Sequence, residues 1–438
     1  MLEPLISAIS QPAKQESHSV WSFRLLLICL VAISVSLPMA WISLSKVLLF
    51  IFGLTYLFGD HFNKRHNYDS ENLWTSKIVL AILIVFSLSL LWTDSDLDTA
   101  LLVLVKHSKL LEIVLLIRLI RTAQEARIGM TAFVAGQTIL LLSSWLLAVG
   151  IPIPWATINP IGRYVVFSSY LDQSIIFATS AAIFWHLRSD HLWPNWLGIL
   201  LCSAALINAL LLLEGRTGYA VATAVISLAA MWAMPKRLRL ATLIATPIIV
   251  LFGLYLGSSQ VQVRLSTIIH ESQNYSEQVE TASSSGWRLN AWHRSVQAIE
   301  ESPWFGHGVG SWTMTVKRHQ GNSATKVFGE GKTSNPHQEY LLWGVELGIG
   351  GSLLLLSLII CIARDALRFN TSTSRTILSV LGAMAVACLF NSSLYDALMG
   401  DYFCVALGLL MALGLKSNPS TSDHSTSVKS LHPLKAST

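Results

Sequence analysis

Thr75-Ser76-Lys77-Ile78-Val79-Leu80-Ala81-Ile82-Leu83-Ile84-Val85-Phe86-Ser87-Leu88-Ser89-Leu90-Leu91-Trp92-Thr93 is the stretch on which the fold turns. A membrane helix needs about 20 mostly apolar residues, and this run has that length. Lys64 and Arg65 precede it, and the acidic Asp94-Ser95-Asp96-Leu97-Asp98 follows. Basic residues collect in short cytoplasmic loops, so the span runs from the cytoplasm outward.

Working outward from 75–93, further apolar spans fall at 20–36, 38–58, 100–121, 128–149, 165–187, 195–213, 217–234, 238–257, 338–363, 375–393 and 401–416. Two are interrupted by charge: 38–58 by Lys46, and 100–121 by Lys106, Lys109 and Glu112. The basic loops alternate along the chain. Arg118, Arg121 and Arg127; Arg188; Lys236, Arg237 and Arg239; then Arg364, Arg368 and Arg375 join Lys64 and Arg65 on one side. The other side holds Ser36-Leu37-Pro38, the acidic run, the Pro-rich Ile151 to Arg163, and Ser392 to Gly400. This alternation predicts an all-α polytopic membrane protein of about 12 transmembrane helices, with both termini cytoplasmic.

Composition agrees. Of the 438 residues, 53% are hydrophobic and 13% charged, and the mean hydropathy is +0.54. Soluble domains carry about 25% charged residues. The net charge of +5 is spread between apolar segments, which argues against a nucleic-acid partner. Cys29, Cys202, Cys361, Cys388 and Cys404 all lie in apolar stretches, where cysteine behaves as a small hydrophobe. The N-terminus shows no cleavable signal pattern, and the first apolar stretch reads as a retained signal anchor.

The division expected is 1–257 with nine membrane helices, 258–336 as one large helical loop on the outer face, 337–416 with three more membrane helices, and 417–438 as a disordered cytoplasmic tail rich in Ser, Thr and Pro. The outer loop is too long for a connector. Within it, Trp292, Val296 and Ile299 recur at helical spacing, and Gly306-His307-Gly308-Val309-Gly310 marks a tight turn. The Ser-rich Thr281 to Gly286 reads as mobile. No internal repeat is visible.

Several polar residues on the outer side invite a chemical reading. Arg163 and Arg216 break the positive-inside rule there. Arg216 lies in Leu213-Glu214-Gly215-Arg216-Thr217-Gly218, between glycines that permit close backbone approach. It is either a planar fork for phosphate oxygens or a snorkelling interfacial arginine paired with Glu214. Charge at membrane depth usually marks function, which favours the first. Arg288 and Arg294, in Gly286-Trp287-Arg288-Leu289-Asn290-Ala291-Trp292-His293-Arg294, read as anion contacts or as part of a solvated helix with aromatic anchors. His337 follows Pro336 and is expected in the first turn of the next membrane helix. An imidazole kept neutral there suits a general base, and the bland alternative is a histidine that only hydrogen-bonds a neighbour. Asp94, Asp96 and Asp98 form a plain acidic loop or a divalent-metal site; the plain loop is preferred, so no metal and no cofactor is expected. Lys106, Lys109 and Glu112 are an internal ion-pair set or further phosphate contacts. Asp396 and Asp401 flank the last outer turn, placed to meet an arginine or to orient a base.

Taken together, the many spans, the single long outer loop, Arg216-Thr217-Gly218, Arg288 followed by Trp292, the Pro303…Gly306-x-Gly308-x-Gly310 run and Pro336-His337-Gln338-Glu339-Tyr340-Leu341 resemble the O-antigen ligase and polymerase superfamily. The single long loop and short tail are most similar to its lipopolysaccharide O-antigen ligases. The resemblance implies a GT-C-like, metal-independent, inverting glycosyltransferase of the Gram-negative inner membrane, with its active site facing the periplasm. Its substrates would be undecaprenyl-diphosphate-linked O-antigen and the lipid A-core oligosaccharide, among membrane lipids. It would assign His337, Arg216 and Arg288 to catalysis; Arg163, Lys106 and Lys109 stand beside them as candidate substrate contacts on their own charge and outer-side position. An O-antigen polymerase shares this chemistry. A lipid-linked glycan transporter is the remaining alternative, and it should show internal symmetry between its halves, which is missing here.

Overall fold

The computed structural model describes residues 18–62, 73–157, 162–190, 192–213, 215–257, 262–263, 266–267, 284–318 and 335–417. The basic pair Lys64 and Arg65, Glu214, the first half of the Ser-rich stretch and the tail beyond Ser417 lie outside these residues. The described residues are helical with no strand.

Helices fall on all twelve expected spans, two of them divided into two helices. In chain order they are α1 (His18–Ser34), α2 (Met39–Phe62), α3 (Trp74–Leu88), α4 (Leu97–His107), α5 (Leu111–Leu119), α6 (Ala123–Ala148), α7 (Tyr170–Leu187), α8 (Asn195–Ile207), α9 (Arg216–Ala233) and α10 (Arg239–Gly257). The segment 258–336 then supplies α11 (Ser284–Glu301) and α12 (Trp312–Arg318), and α13 (Glu339–Leu347), α14 (Ile349–Ala366), α15 (Thr371–Phe390) and α16 (Ala397–Lys416) follow. Among the described residues, eight helical spans are long and apolar enough to cross a membrane. The chain is a polytopic membrane protein.

Side chains mark where helices begin. Asp96 opens α4 by accepting from the Thr99 N–H at 2.9 Å. Thr122 and Glu125 form a reciprocal capping box at α6, and Asn370 caps α15. Each satisfies amides that the first helical turn leaves without a partner. The deepest element is α16, buried from Leu398 to Leu415 and packed on α5, α6 and α15. A helix that is apolar all round and enclosed by other helices is what such a core requires. Its one embedded charge, Asp401, receives Lys46 Nζ at 2.6 Å. Arg24 and Glu125 form a second buried pair between α1 and α6. The five cysteines are free.

Two expected spans are broken. The span 100–121 divides into α4 and α5 around a 3-10 turn at Ser108–Leu110. Lys109 sits in that turn, and its ammonium donates to the carbonyls of Asp396 at 2.6 Å and Tyr395 at 3.4 Å. The span 338–363 divides at Gly348, whose φ of +68° is left-handed. A Cβ there would lie 2.5 Å from the Pro303 carbonyl oxygen, so only glycine fits. The resulting α13 has 9 residues, about 13 Å at 1.5 Å per residue, too short to span a bilayer alone.

Candidate functional site

The site is assembled where α9 begins, where α15 gives way to α16, and where α11 crosses the loop before α13. Close packing of α9 on α7 puts Arg216 in place. An added Cβ at Gly215 or at Gly218 would fall 2.2 Å from Ser174 Oγ. Two glycines therefore let the start of α9 lie directly against α7, and Arg216, between them and half-buried, opens the helix.

Arg288 projects from the first turns of α11. Burial first, and then the neighbouring Arg216 cation, hold its pKa below the ordinary arginine value, while Tyr170 opposes the shift. A guanidinium this basic keeps its charge at any working pH. Two guanidinium groups thus stand within electrostatic reach of each other, partly out of water. An anion placed between them would relieve their repulsion.

His337 is held from four directions. Its backbone N–H donates to Asn335 Oδ1 at 2.9 Å, and its φ of +52° is left-handed. Histidine tolerates this region better than most residues, and such conformations cost about 1–3 kcal/mol when forced. Trp287, one residue before Arg288, meets the imidazole edge-on with centroids 5.1 Å apart. Trp292 Nε1 donates to the Pro336 carbonyl at 3.0 Å, tying the loop to α11. On the far side, His337 Nδ1 lies 2.9 Å from Asn391 Oδ1. An amide oxygen only accepts, so Nδ1 carries the proton and Nε2 keeps its lone pair. Burial is the main cause that lowers the His337 pKa, and Arg288 adds to it; Asn391 and Asp396 pull the other way. The net effect is a neutral imidazole at neutral pH.

One expectation is corrected here. His337 is not in the first turn of α13. Gln338 is the N-cap, its side-chain oxygen accepting from Leu341 N–H at 2.7 Å. The Asn335 side chain turns the backbone before the helix begins, so His337 sits in a bent approach rather than on a helix face.

The loop carrying Asn391 is clamped from beneath by two buried charges. Glu339 Oε2 accepts the N–H groups of Leu394 and Tyr395 at 3.0 and 3.1 Å. Lys109 holds the next two carbonyls, as above. Lys109 is fully buried and its ammonium is engaged with backbone, so its described contacts position this loop. Lys106 Nζ lies 4.0 Å from the Tyr395 ring centroid, a cation–π contact on the same loop. Asp396 caps α16 through Leu398 N–H and stands within electrostatic reach of both His337 and Asp172. Asp401 is committed to Lys46. Arg163 is exposed in the loop before α7 and pairs with no described residue. Arg294 Nε donates to Asn290 Oδ1 within α11.

The acidic run has structural work. Asp94 Oδ2 lies 3.0 Å from His307 Nδ1 and 2.9 Å from Arg318, and Asp96 caps α4. Glu346 Oε1 accepts from Gly310 N–H at 2.9 Å, and its Oε2 lies 3.1 Å from His107 Nε2. The Gly-rich run is thereby pinned between the acidic loop and α13. Among the described residues no group of three His, Cys, Asp or Glu could hold a metal ion.

Sequence reasoning missed Asn391, Trp287 and Glu339. The signal for Asn391 was faint: a polar Asn391-Ser392-Ser393 at the end of an apolar span, with nothing to show that it meets a histidine 54 residues earlier.

An all-helical membrane bundle with two arginines and a neutral histidine brought together at one end defines the class of protein: a polytopic membrane protein with a polar site at the end of its bundle. The model of the O-antigen ligase family matches residues 200–356. That stretch contains Arg216, Arg288 and His337, and over it the chain is similar to the O-antigen ligase family, whose members are glycosyltransferase-like ligases and polymerases. No curated protein matches the chain.

Proposed function

We propose that the chain is an O-antigen ligase, transferring a polysaccharide from undecaprenyl diphosphate to a sugar hydroxyl of the lipid A core on the periplasmic side of the inner membrane. The observation that carries the reading is the convergence of Arg216, Arg288 and His337 from three separate parts of the chain. Arg216 and Arg288 would bind the diphosphate of the donor. As the bond from anomeric carbon to phosphate oxygen breaks, charge builds on that oxygen, and the preorganised guanidinium pair would stabilise it where water is scarce. The acceptor hydroxyl would attack the same carbon from the opposite face and lose its proton to His337 Nε2. The new glycosidic bond replaces the sugar–phosphate bond, and undecaprenyl diphosphate leaves as the anion. No nucleotide is required, because the donor bond supplies the driving force. Both substrates are lipid-anchored, so the membrane confines them and lowers the entropic cost of their meeting. Asn391 would hold the imidazole in the tautomer that accepts at Nε2.

The test is reconstitution of the purified protein with undecaprenyl-diphosphate-linked polysaccharide and lipid A-core, without nucleotide. Polysaccharide attached to the core is the expected product. Elongation of the lipid-linked glycan with no transfer to the core would identify a polymerase instead.

A further inference from the structure

A cavity of about 440 Å³ lies at the opposite end of the bundle from the Arg216 site, between α7, α9 and α15. Arg216 opens α9 and Trp232 stands near its close. Sixteen residues at 1.5 Å each separate the two ends by about 24 Å. On the basic-loop reading this end is the cytoplasmic interface.

Three independent features of the cavity favour an anion. First, Arg188 and Arg375 both line it. The Arg188 guanidinium lies 3.6 Å from the centroid of Trp185, and that of Arg375 lies 6.0 Å from the centroid of Trp232. Neither arginine forms an ion pair with a described carboxylate. Asp190 also lines the cavity, with Thr373 Oγ1 3.5 Å from it, so two guanidinium groups face one carboxylate. Second, Thr371 and Ser372, in the first turn of the 20-residue α15, line the same wall. Their amides have no intrahelical partner, and this end of the helix carries its positive partial charge. Third, the His186 ring is only 7% exposed and lines the cavity, yet its Nε2 has no hydrogen-bond partner. A buried ring nitrogen without a partner normally finds one in a ligand or water.

We propose that this cavity is a second binding site, for a phosphate group, held by Arg188, Arg375, the first-turn amides of α15 and the His186 imidazole. Tryptophans and arginines at the end of a membrane bundle stand at headgroup depth, where phosphate arrives either as the headgroup of an anionic lipid or as a free ion. Helix N-termini and planar guanidinium forks both recognise phosphate oxygens.

The experiment is native mass spectrometry of the detergent-purified protein titrated with phosphatidylglycerol, with phosphatidylcholine as reference and inorganic phosphate as competitor. The wild type is expected to bind one phosphatidylglycerol at least about tenfold more tightly than phosphatidylcholine, which corresponds to about 1.4 kcal/mol. Arg188→Gln with Arg375→Gln should abolish that preference. Thr371→Asp serves as the second variant: its carboxylate suits the helix terminus, so the fold is kept, while it repels a phosphate. Displacement of phosphatidylglycerol by phosphate at millimolar concentration would support the site and assign it to the free ion. Failure of phosphate to displace it would support the site and assign it to the lipid. Equal phosphatidylglycerol binding by the wild type and both variants, or no preference in the wild type, would overturn the proposal.

Discussion

At the residue scale, the chemistry rests on which nitrogen of His337 is free. Because Asn391 presents an oxygen to Nδ1, the proton is fixed there and Nε2 is left to accept another. His337→Gln keeps polarity but no usable base, and transfer should fall by roughly 10²–10⁴-fold while donor binding persists; an active variant with an unchanged pH profile would remove the base role. The pH dependence has a definite sign. Burial lowers the His337 pKa, so the imidazole stays neutral until the pH drops below the usual histidine range, and only then should transfer fail. Asn391→Asp places an anion beside the ring, favours imidazolium and should move that acid limb to higher pH. A pH–rate profile of both proteins checks this, and coincident acid limbs would count against it. Arg216→Lys and Arg288→Lys keep charge but lose the planar fork; each should slow transfer on the order of 10²-fold, as removal of a single preorganised donor does elsewhere. Near wild-type transfer by both would reduce the arginines to interfacial anchors. Arg216, Arg288 and His337 could be singled out in the sequence because each is a polar group set beside an apolar span. Asn391 was not, since its partner is chosen by a tertiary contact.

At the element scale, the site depends on helices meeting more closely than side chains ordinarily allow. Gly218→Ala would drive a methyl into Ser174 Oγ, and overpacking of this kind costs about 1–3 kcal/mol. The variant should melt earlier in detergent and transfer more slowly, because the displaced terminus of α9 carries Arg216. Replacing Ser174 by glycine in the same chain should restore both; if it restores neither, the close approach is not what sets Arg216. The two broken spans show where reading apolar runs fails. Hydropathy averaged over 100–121 or 338–363 registers length and apolarity, but not the 3-10 turn that brings Lys109 to the carbonyls of Tyr395 and Asp396, nor the left-handed Gly348. Both breaks serve the same end. One carries Lys109, the other leaves Glu339 in a short helix, and together they hold the loop that begins with Asn391. The sequence offers Lys109 only as an ion-pair member or a phosphate contact, because the carbonyls it meets leave no mark in a sequence.

At the scale of the whole molecule, the alternation of basic loops was the most legible property, since it arises from the membrane rather than from any contact. It predicts that Trp304, 78% exposed in the turn after α11, reacts from outside when replaced by cysteine in a cysteine-free background, and that Lys236→Cys reacts only after the membrane is opened. The reverse pattern would invert the topology. Transfer should also persist in EDTA, because Asp94 and Asp96 are engaged with His307, Arg318 and the start of α4; chelator-sensitive transfer restored by a divalent ion would demand a metal-assisted mechanism. A last consequence follows from α10. No residue of this helix is buried, and it leans chiefly on α9, the helix that Arg216 opens. In a bilayer, parting two helices forfeits packing but no hydrophobic driving force, because lipid tails are as apolar as leucine. A donor with a polyprenyl tail, as proposed, would reach the bundle sideways, through the plane of the membrane. The seam beside α10 is a side wall that would open at little cost, and it runs along the helix whose first residue would greet the diphosphate.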